Sequence, residues 1–155
     1  MATIELTPQL QGDLGELYFK HFTKERNYAY IKLEDIYNTL TLKNELVFRN
    51  GFERLPIKIP DEIIEEVRKF AMPIKNYPST SPGFIFDFLT LSLWPEPEKR
   101  GKEKDQFHWV EIKTGNAELS EGQKQAKKEA KLQVDVFRVI HTMPKEIDIK
   151  WESRS

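Results

Sequence analysis

The stretch 107-FHWVEIKTGN-116 decides how this chain is read. It alternates as a β-strand does, with Phe107, Trp109, Glu111 and Lys113 on one face and His108, Val110, Ile112 and Thr114 on the other. Glu111 and Lys113 then sit about 6–7 Å apart along one side of a strand that otherwise asks to be buried. Taken alone, a Glu-x-Lys of this kind reads as a solvated face carrying a weak ion pair.

A second stretch changes that reading. In 84-FIFDFLTLSLW-94, Asp87 interrupts a run of phenylalanines, where an unpaired carboxylate is costly to bury. It reads either as an exposed strand end or as a functional group. If 84–94 and 107–115 pair as antiparallel neighbours, Asp87 and Glu111 converge. Two carboxylates that converge repel each other, and a divalent cation resolves the repulsion. Mg²⁺ takes one or two protein carboxylates, keeps several waters and leaves room for phosphate. Lys113 beside them would offset charge on such a phosphate.

Outward from this pair, the pattern alternates between helices and strands. Thr7-Pro8 opens a helix over 8–25, in which Leu10, Leu14, Leu17, Tyr18, Phe19 and Phe22 recur at helical spacing. A strand over 28–33 follows, and 34–42 fits a short helix or a strand. Asn50-Gly51 between two β-rich runs predicts a hairpin over 45–59. Pro60-Asp61 opens a helix over 60–71, with Ile63, Ile64, Val67, Phe70 and Ala71 on its apolar face. Residues 72–83 and 95–106 read as loops. Ser120 with Gln123 forms a capping box for a helix over 120–132. Strands over 134–142 and 147–153 close the chain. With no repeat and no linker, the expectation is one α/β domain over 1–155, built on a single central mixed sheet flanked by helices.

Composition narrows the chemistry. The chain has 155 residues, 39% of them hydrophobic and 32% charged, with 24 basic against 25 acidic residues. That balance gives no global polyanion-binding field, so any such surface must come from local clustering. With no cysteine, disulfides, thiolate catalysis and Cys-type zinc sites are excluded. His21, His108 and His141 lack metal-motif spacing and read as structural, and Trp94, Trp109 and Trp151 as core or edge aromatics. No apolar run is long enough to span a membrane, and the N-terminus is not a signal peptide. The expectation is a soluble, cytoplasmic protein with no membrane partner. High Lys and Glu content without cysteine is compatible with a thermophilic source.

Pro82-Gly83-x-x-x-Asp87 followed by Glu111-Ile112-Lys113 resembles the signature of the PD-(D/E)XK nuclease superfamily. Gly15-Glu16 on the first helix resembles the helix glutamate of that superfamily. The stretch 118-ELSEGQKQAKKEA-130 is similar to the glutamine-bearing helix of the VRR-NUC branch. The order of parts is closest to VRR-NUC and archaeal Holliday junction resolvase-like members, which points to an archaeal or viral setting. The resemblance covers 8–25 and 82–141. The long interval between Glu16 and Asp87 marks 33–80, with its hairpin and helix, as an insertion.

What the resemblance implies is a restriction-endonuclease-like core and a Mg²⁺- or Mn²⁺-dependent deoxyribonuclease, an endonuclease rather than an exonuclease. Asp87, Glu111 and the carbonyl of Ile112 would hold the metal, with Glu16 bound directly or through water. Lys113 would position the attacking water, and Gln123 would hydrogen-bond Lys113 or that water. DNA is the implied partner, and a two-fold homodimer suits cutting of both strands. Each residue also has a plain reading: Glu16 as an exposed helix position, Gln123 as a capping residue, Lys113 as a surface lysine.

Lys124, Lys127, Lys128 and Lys131 fall at helical spacing and form a basic stripe, either a solvated face or a path for a phosphate backbone. Ser79 and Ser81 in 76-NYPSTSPG-83 offer further phosphate contacts. Two other readings stand beside the nuclease. One is a nucleic-acid-binding protein of the same fold with weak catalysis. The other is a structural α/β protein with an accidental Glu-x-Lys, in which Asp87 lies far from Glu111.

Overall fold

A computed structural model of the chain describes residues 2–40, 44–74, 83–140, 146–150 and 152. Its centre is a six-stranded mixed sheet. The strands are β2 (Tyr28–Lys32), β3 (Glu45–Asn50), β4 (Glu53–Lys58), β5 (Phe88–Ser92), β6 (Phe107–Thr114) and β7 (Gln133–Val139). Their order is β4-β3-β2-β5-β6-β7. All neighbours are antiparallel except β6 and β7, which run parallel with Lys113 beside Arg138. The predicted pairing of β5 with β6 is present, with Phe88 opposite Val110 and Leu91 opposite Phe107.

Helix α1 (Pro8–Glu25) starts where Thr7 caps it, accepting the Leu10 N–H at 3.2 Å. It covers one face of the sheet. Phe19 stacks on Phe88 with ring centroids 4.6 Å apart and meets Tyr30 and Phe137 edge-on. Gly15 is what lets the helix lie this close, because a Cβ there would stand 3.0 Å from the Ile112 side chain. The other face holds the larger core, in which Trp109, Phe48, Phe86, Phe107, Leu89 and Leu91 are fully buried. Helix α3 (Asp61–Phe70) packs there through Ile63, Val67 and Phe70, and α4 (Glu121–Glu129) through Ala126. Helix α2 (Leu33–Thr39), the ambiguous segment, adds Leu33 and Ile36.

The segment expected to be an insertion is continuous with this architecture. Its hairpin extends the sheet edge, and Leu46 and Phe48 join the main core. The turn is Gly51-Phe52, with Asn50 paired to Glu53, so the glycine with φ +60° is the first turn residue. That is where a II′ turn takes glycine.

Four expectations are corrected. Residues 84–87 leave the ladder and bend, so β5 begins at Phe88. Helix α4 ends at Glu129, which puts Lys131 beyond it. The chain ends form a ribbon separate from the central sheet, β1 (Ala2–Glu5) antiparallel to β8 (Glu146–Ile149). The first of these strands was not expected. The 95–106 loop holds two short 3₁₀ turns, Pro97–Lys99 and Lys104–Gln106. His141, Trp151, Ser79, Ser81 and Pro82 lie outside the described residues. Among the described residues, no helix is long and apolar enough to cross a membrane.

Glu66 explains where α4 stops. Its carboxylate accepts the backbone N–H of Lys131 and Leu132 and the indole N–H of Trp109, the last at 3.1 Å. One side chain on α3 thereby ends α4, starts β7 and satisfies the largest buried aromatic. Removing it leaves three donors without an acceptor. Glu66→Ala is expected to lower unfolding free energy in urea by about 3 kcal/mol, with Glu66→Gln recovering part of the loss. A loss below about 1 kcal/mol would show that water takes over those bonds.

Candidate active site

The site forms where the sheet runs out. On β6 the apolar face ends at Trp109, and the next residues on that face are Glu111 and Lys113. Glu111 is 8% exposed. Lys113 reaches back so that its Nζ lies 3.8 Å from Glu111 Oε1. The two opposite charges share a face, as the alternation predicts.

Asp87 sits in the bend before β5 and is held by its backbone on both sides. Its N–H donates to Val110 O at 3.0 Å, and its carbonyl accepts Leu33 N–H at 3.2 Å. Its Oδ2 accepts the Ile112 N–H at 2.7 Å. A β5 strand continuing past Phe88 would offer that amide a backbone carbonyl. The strand bends away, and the carboxylate takes the place of the missing acceptor. An Asp rather than an apolar residue at 87 therefore has a local structural cause as well as a chemical use. The Ile112 carbonyl leaves β6 on the same edge as its N–H, facing the gap that the bend opens.

Asp87 and Glu111 converge to within hydrogen-bonding reach of each other. Burial pushes the Glu111 carboxyl up, and the neighbouring Asp87 charge adds to this, so that it titrates at about 8. Lys113 and the Gln123 amide oppose the rise. Asp87 is also raised, first by burial and further by the Glu16 charge, against the Ile112 N–H. The two carboxyls thus titrate as a coupled pair, and their mutual repulsion favours one shared proton between them in the metal-free protein.

Glu16 comes to the same hollow from α1. A recess of about 340 Å³ is walled by Asp13, Glu16, Asp87, Glu111, Ile112 and Lys113. The Glu16 carboxylate, however, lies 3.0 Å from Lys32 Nζ at the end of β2. Burial draws the Lys32 ammonium down, but the bond to Glu16 and the charges of Glu16, Glu34 and Asp35 together outweigh it, and its pKa is raised. Lys32 is the functional neighbour that sequence reading missed. Its only sequence signal was a charge at the end of an apolar strand.

Gln123 is buried against the site and completes the capping box. Its Oε1 accepts Ser120 N–H at 2.9 Å while its Nε2 donates to Ile85 O at 3.0 Å. It therefore braces the bend that carries Asp87, and it faces Glu111 rather than Lys113. His108 points to the opposite face, where its Nδ1 lies 2.6 Å from Asp135 Oδ2.

Lys124, Lys127 and Lys128 are exposed on α4. With Arg138, Glu118 and Glu121 they line an open groove of about 700 Å³. Arg138 donates to the carbonyls of Gly115 and Ala117, which fixes it beside Lys113 and joins this groove to the recess. Lys131 lies apart from the groove, past the helix end.

The donor set suits a hard divalent cation. Two oxygen-bearing side chains are forced together at a repulsion that a proton relieves and that such an ion would relieve better. Among the described residues, no three His, Asp or Glu side chains gather at one point, so the pair stands as two carboxylates. No family model, no curated protein and no solved structure matches the chain.

The pair has a stability consequence. Glu111 titrates near 8 when folded against an ordinary value of 4.5, so the folded state binds more protons between these pH values. Its contribution is fully present below about 4.5 and is lost as pH rises toward 8. Metal-free protein is expected to lose a few kcal/mol of unfolding free energy across that window. Glu111→Gln should flatten the slope and be the more stable form at pH 8. Urea titrations of both proteins in EDTA across this range decide it, and equal slopes would refute the shared proton.

Proposed function

We propose that this protein is a metal-dependent nuclease that hydrolyses DNA phosphodiester bonds at the Asp87–Glu111 pair. The observation that carries the reading is the convergence of those two carboxylates from antiparallel neighbours, with Lys113 next to them. The order of elements around the pair supports a restriction-endonuclease-like core. Helix α1 is followed by the antiparallel run β2, β5 and β6, then by α4 and a parallel β7, with the segment from α2 to α3 placed between β2 and β5.

Asp87 and Glu111 would hold Mg²⁺ or Mn²⁺, with the Ile112 carbonyl and Glu16 as further oxygen donors. Bound there, the ion supplies a water nucleophile at neutral pH and offsets phosphate charge. The protein's own groups do the rest. Glu111 gives up its proton when the site is loaded, so loading strengthens as pH rises through about 8. Lys113, braced by Glu111, stabilises the charge that builds on the phosphate oxygens. Gln123 holds the Asp87 bend through Ile85 and steadies the Glu111 carboxylate. Lys124, Lys127 and Lys128, with Arg138, present cations to the backbone on the α4 side. The chemistry is direct hydrolysis with no covalent enzyme intermediate, and endonucleolytic cutting by a homodimer is the form we favour.

The Glu16–Lys32 ion pair favours a second reading, a DNA-binding protein of this fold with weak catalysis, because it engages one of the acidic groups elsewhere. One experiment separates the two. Linear, circular and branched DNA are incubated with Mg²⁺, Mn²⁺ or EDTA, using wild type, Asp87→Asn and Lys113→Ala. Asp87→Asn is chosen because it keeps an acceptor for the Ile112 N–H while removing the charge. Cutting that needs the metal and falls by a factor of about 10² to 10³ in each variant is the expected result. Binding without cutting would favour the second reading, and neither binding nor cutting would leave a structural α/β protein.

A further inference from the structure

The β3–β4 hairpin carries a charge arrangement that its fold does not explain. Arg49 and Arg54 are directly opposite each other across the two strands. Both are exposed. Like charges at such positions destabilise a strand pair. Among the described residues, neither has an ion-pair partner. They stand on the α1 side of the sheet, because Arg49 pairs with Tyr30, whose ring packs against Phe19.

With Tyr30, Lys32, Asp35 and Val47, the two arginines line a hollow of about 230 Å³. Asp35 is the single carboxylate in its wall. Lys24 extends the cationic surface, since its side chain lies against Gly51 at the hairpin turn. Lys32 is the link to the candidate active site, because it lines this hollow while the Glu16 it binds lines the other.

We propose that the Arg49–Arg54 pair is a second phosphate-binding site, which takes the backbone of a DNA strand on the side of the acidic pair away from α4. The identity of the ligand rests on the nuclease reading; the cationic site itself does not. The chemistry is guanidinium to phosphodiester, which the planar donor fork of arginine suits better than lysine. Through Tyr30 and Thr90, Arg49 is in register with His108, so it stands three strand spacings across and three residues along from Glu111, about 17 Å, a distance that a few phosphates of one strand cover. The backbone would cross the end of the sheet, held on one side by α4 and on the other by the hairpin. The segment whose role the sequence left open becomes part of the DNA surface.

The test reads binding without cleavage. Anisotropy of a fluorescein-labelled DNA duplex is measured in EDTA across a salt series, for wild type, Arg49→Ala/Arg54→Ala and Arg49→Lys/Arg54→Lys. The double alanine variant is expected to weaken binding roughly tenfold and to reduce the salt slope by about two, one for each phosphate left without its arginine. The lysine variant should keep the slope while recovering only part of the affinity. Thermal unfolding of the alanine variant should be unchanged or raised, since a like-charge pair is removed, which excludes misfolding as the cause. An unchanged affinity and slope would overturn the proposal, as would failure of wild type to bind DNA. If wild type binds through these arginines but never cuts, the nuclease reading falls and this site stands.

Discussion

A single hydrogen bond, from the Ile112 N–H to Asp87 Oδ2 at 2.7 Å, is the constraint around which the site is built. It exists because β5 leaves the ladder just where β6 continues. Had β5 run on, a carbonyl would fill that place and the sheet would close over its own end. The bend leaves an amide to be satisfied, and Asp87 satisfies it with a charged group. That fixes the carboxylate beside Glu111, the residue that precedes Ile112. The backbone bonds of Asp87 to Val110 and Leu33 then tie the bend to β6 and to the start of α2. Gln123 adds a tie from α4 through Ile85. The acidic pair is thus positioned mainly by main-chain geometry, which suits a group that must hold a charge against its neighbour.

Much of this is legible in the sequence because the signals are local. Strict alternation over 107–114 orients Glu111 and Lys113 together, and Ser120 with Gln123 marks the start of α4. Thr7-Pro8 marks the start of α1 to the residue. What could not be read is long-range. Nothing near Glu129 announces a helix end, for there is no glycine or proline, and Ala130 takes an extended conformation. The stop comes from Glu66, far back in the chain, which captures the next two free amides. The start of β5 is hidden in the same way, since residues 84–86 have strand-like composition and yet lie outside the ladder. The pairing of β1 with β8 joins the two ends of the chain and leaves no trace in either segment's own pattern.

The same division applies to the candidate site. Strand parity puts Glu111 and Lys113 on one face, and pairing of the two strands brings Asp87 toward them, while the bend that fixes Asp87 is not in that pattern. They do not reveal that Glu16 meets Lys32, because that ion pair depends on how closely α1 lies on the sheet. Gly15 decides the approach, and it appears in the sequence only as a weak point in a helix. Gln123 shows a related overlap. Its capping role is real, and the same amide reaches the Asp87 bend and the Glu111 carboxylate. A structural role and a site role are not alternatives when one short side chain stands where the helix start meets the sheet end.

The protein keeps two unfavourable like-charge pairs, one acidic and buried, one basic and exposed. Each costs stability, and each is placed where the fold can bear it. The acidic pair borders a core of fully buried aromatics centred on Trp109 and is relieved by a proton. The arginines lie on the open face of a hairpin whose other face buries Leu46 and Phe48. A sequence shaped for stability alone would have replaced both. Their demands are opposite and matching: the acids call for a cation, the arginines for an anion. On the reading proposed above, a phosphate chain carrying a divalent metal would meet both demands at once and would cross the end of the sheet, where Lys32 and Glu16 already join the two hollows.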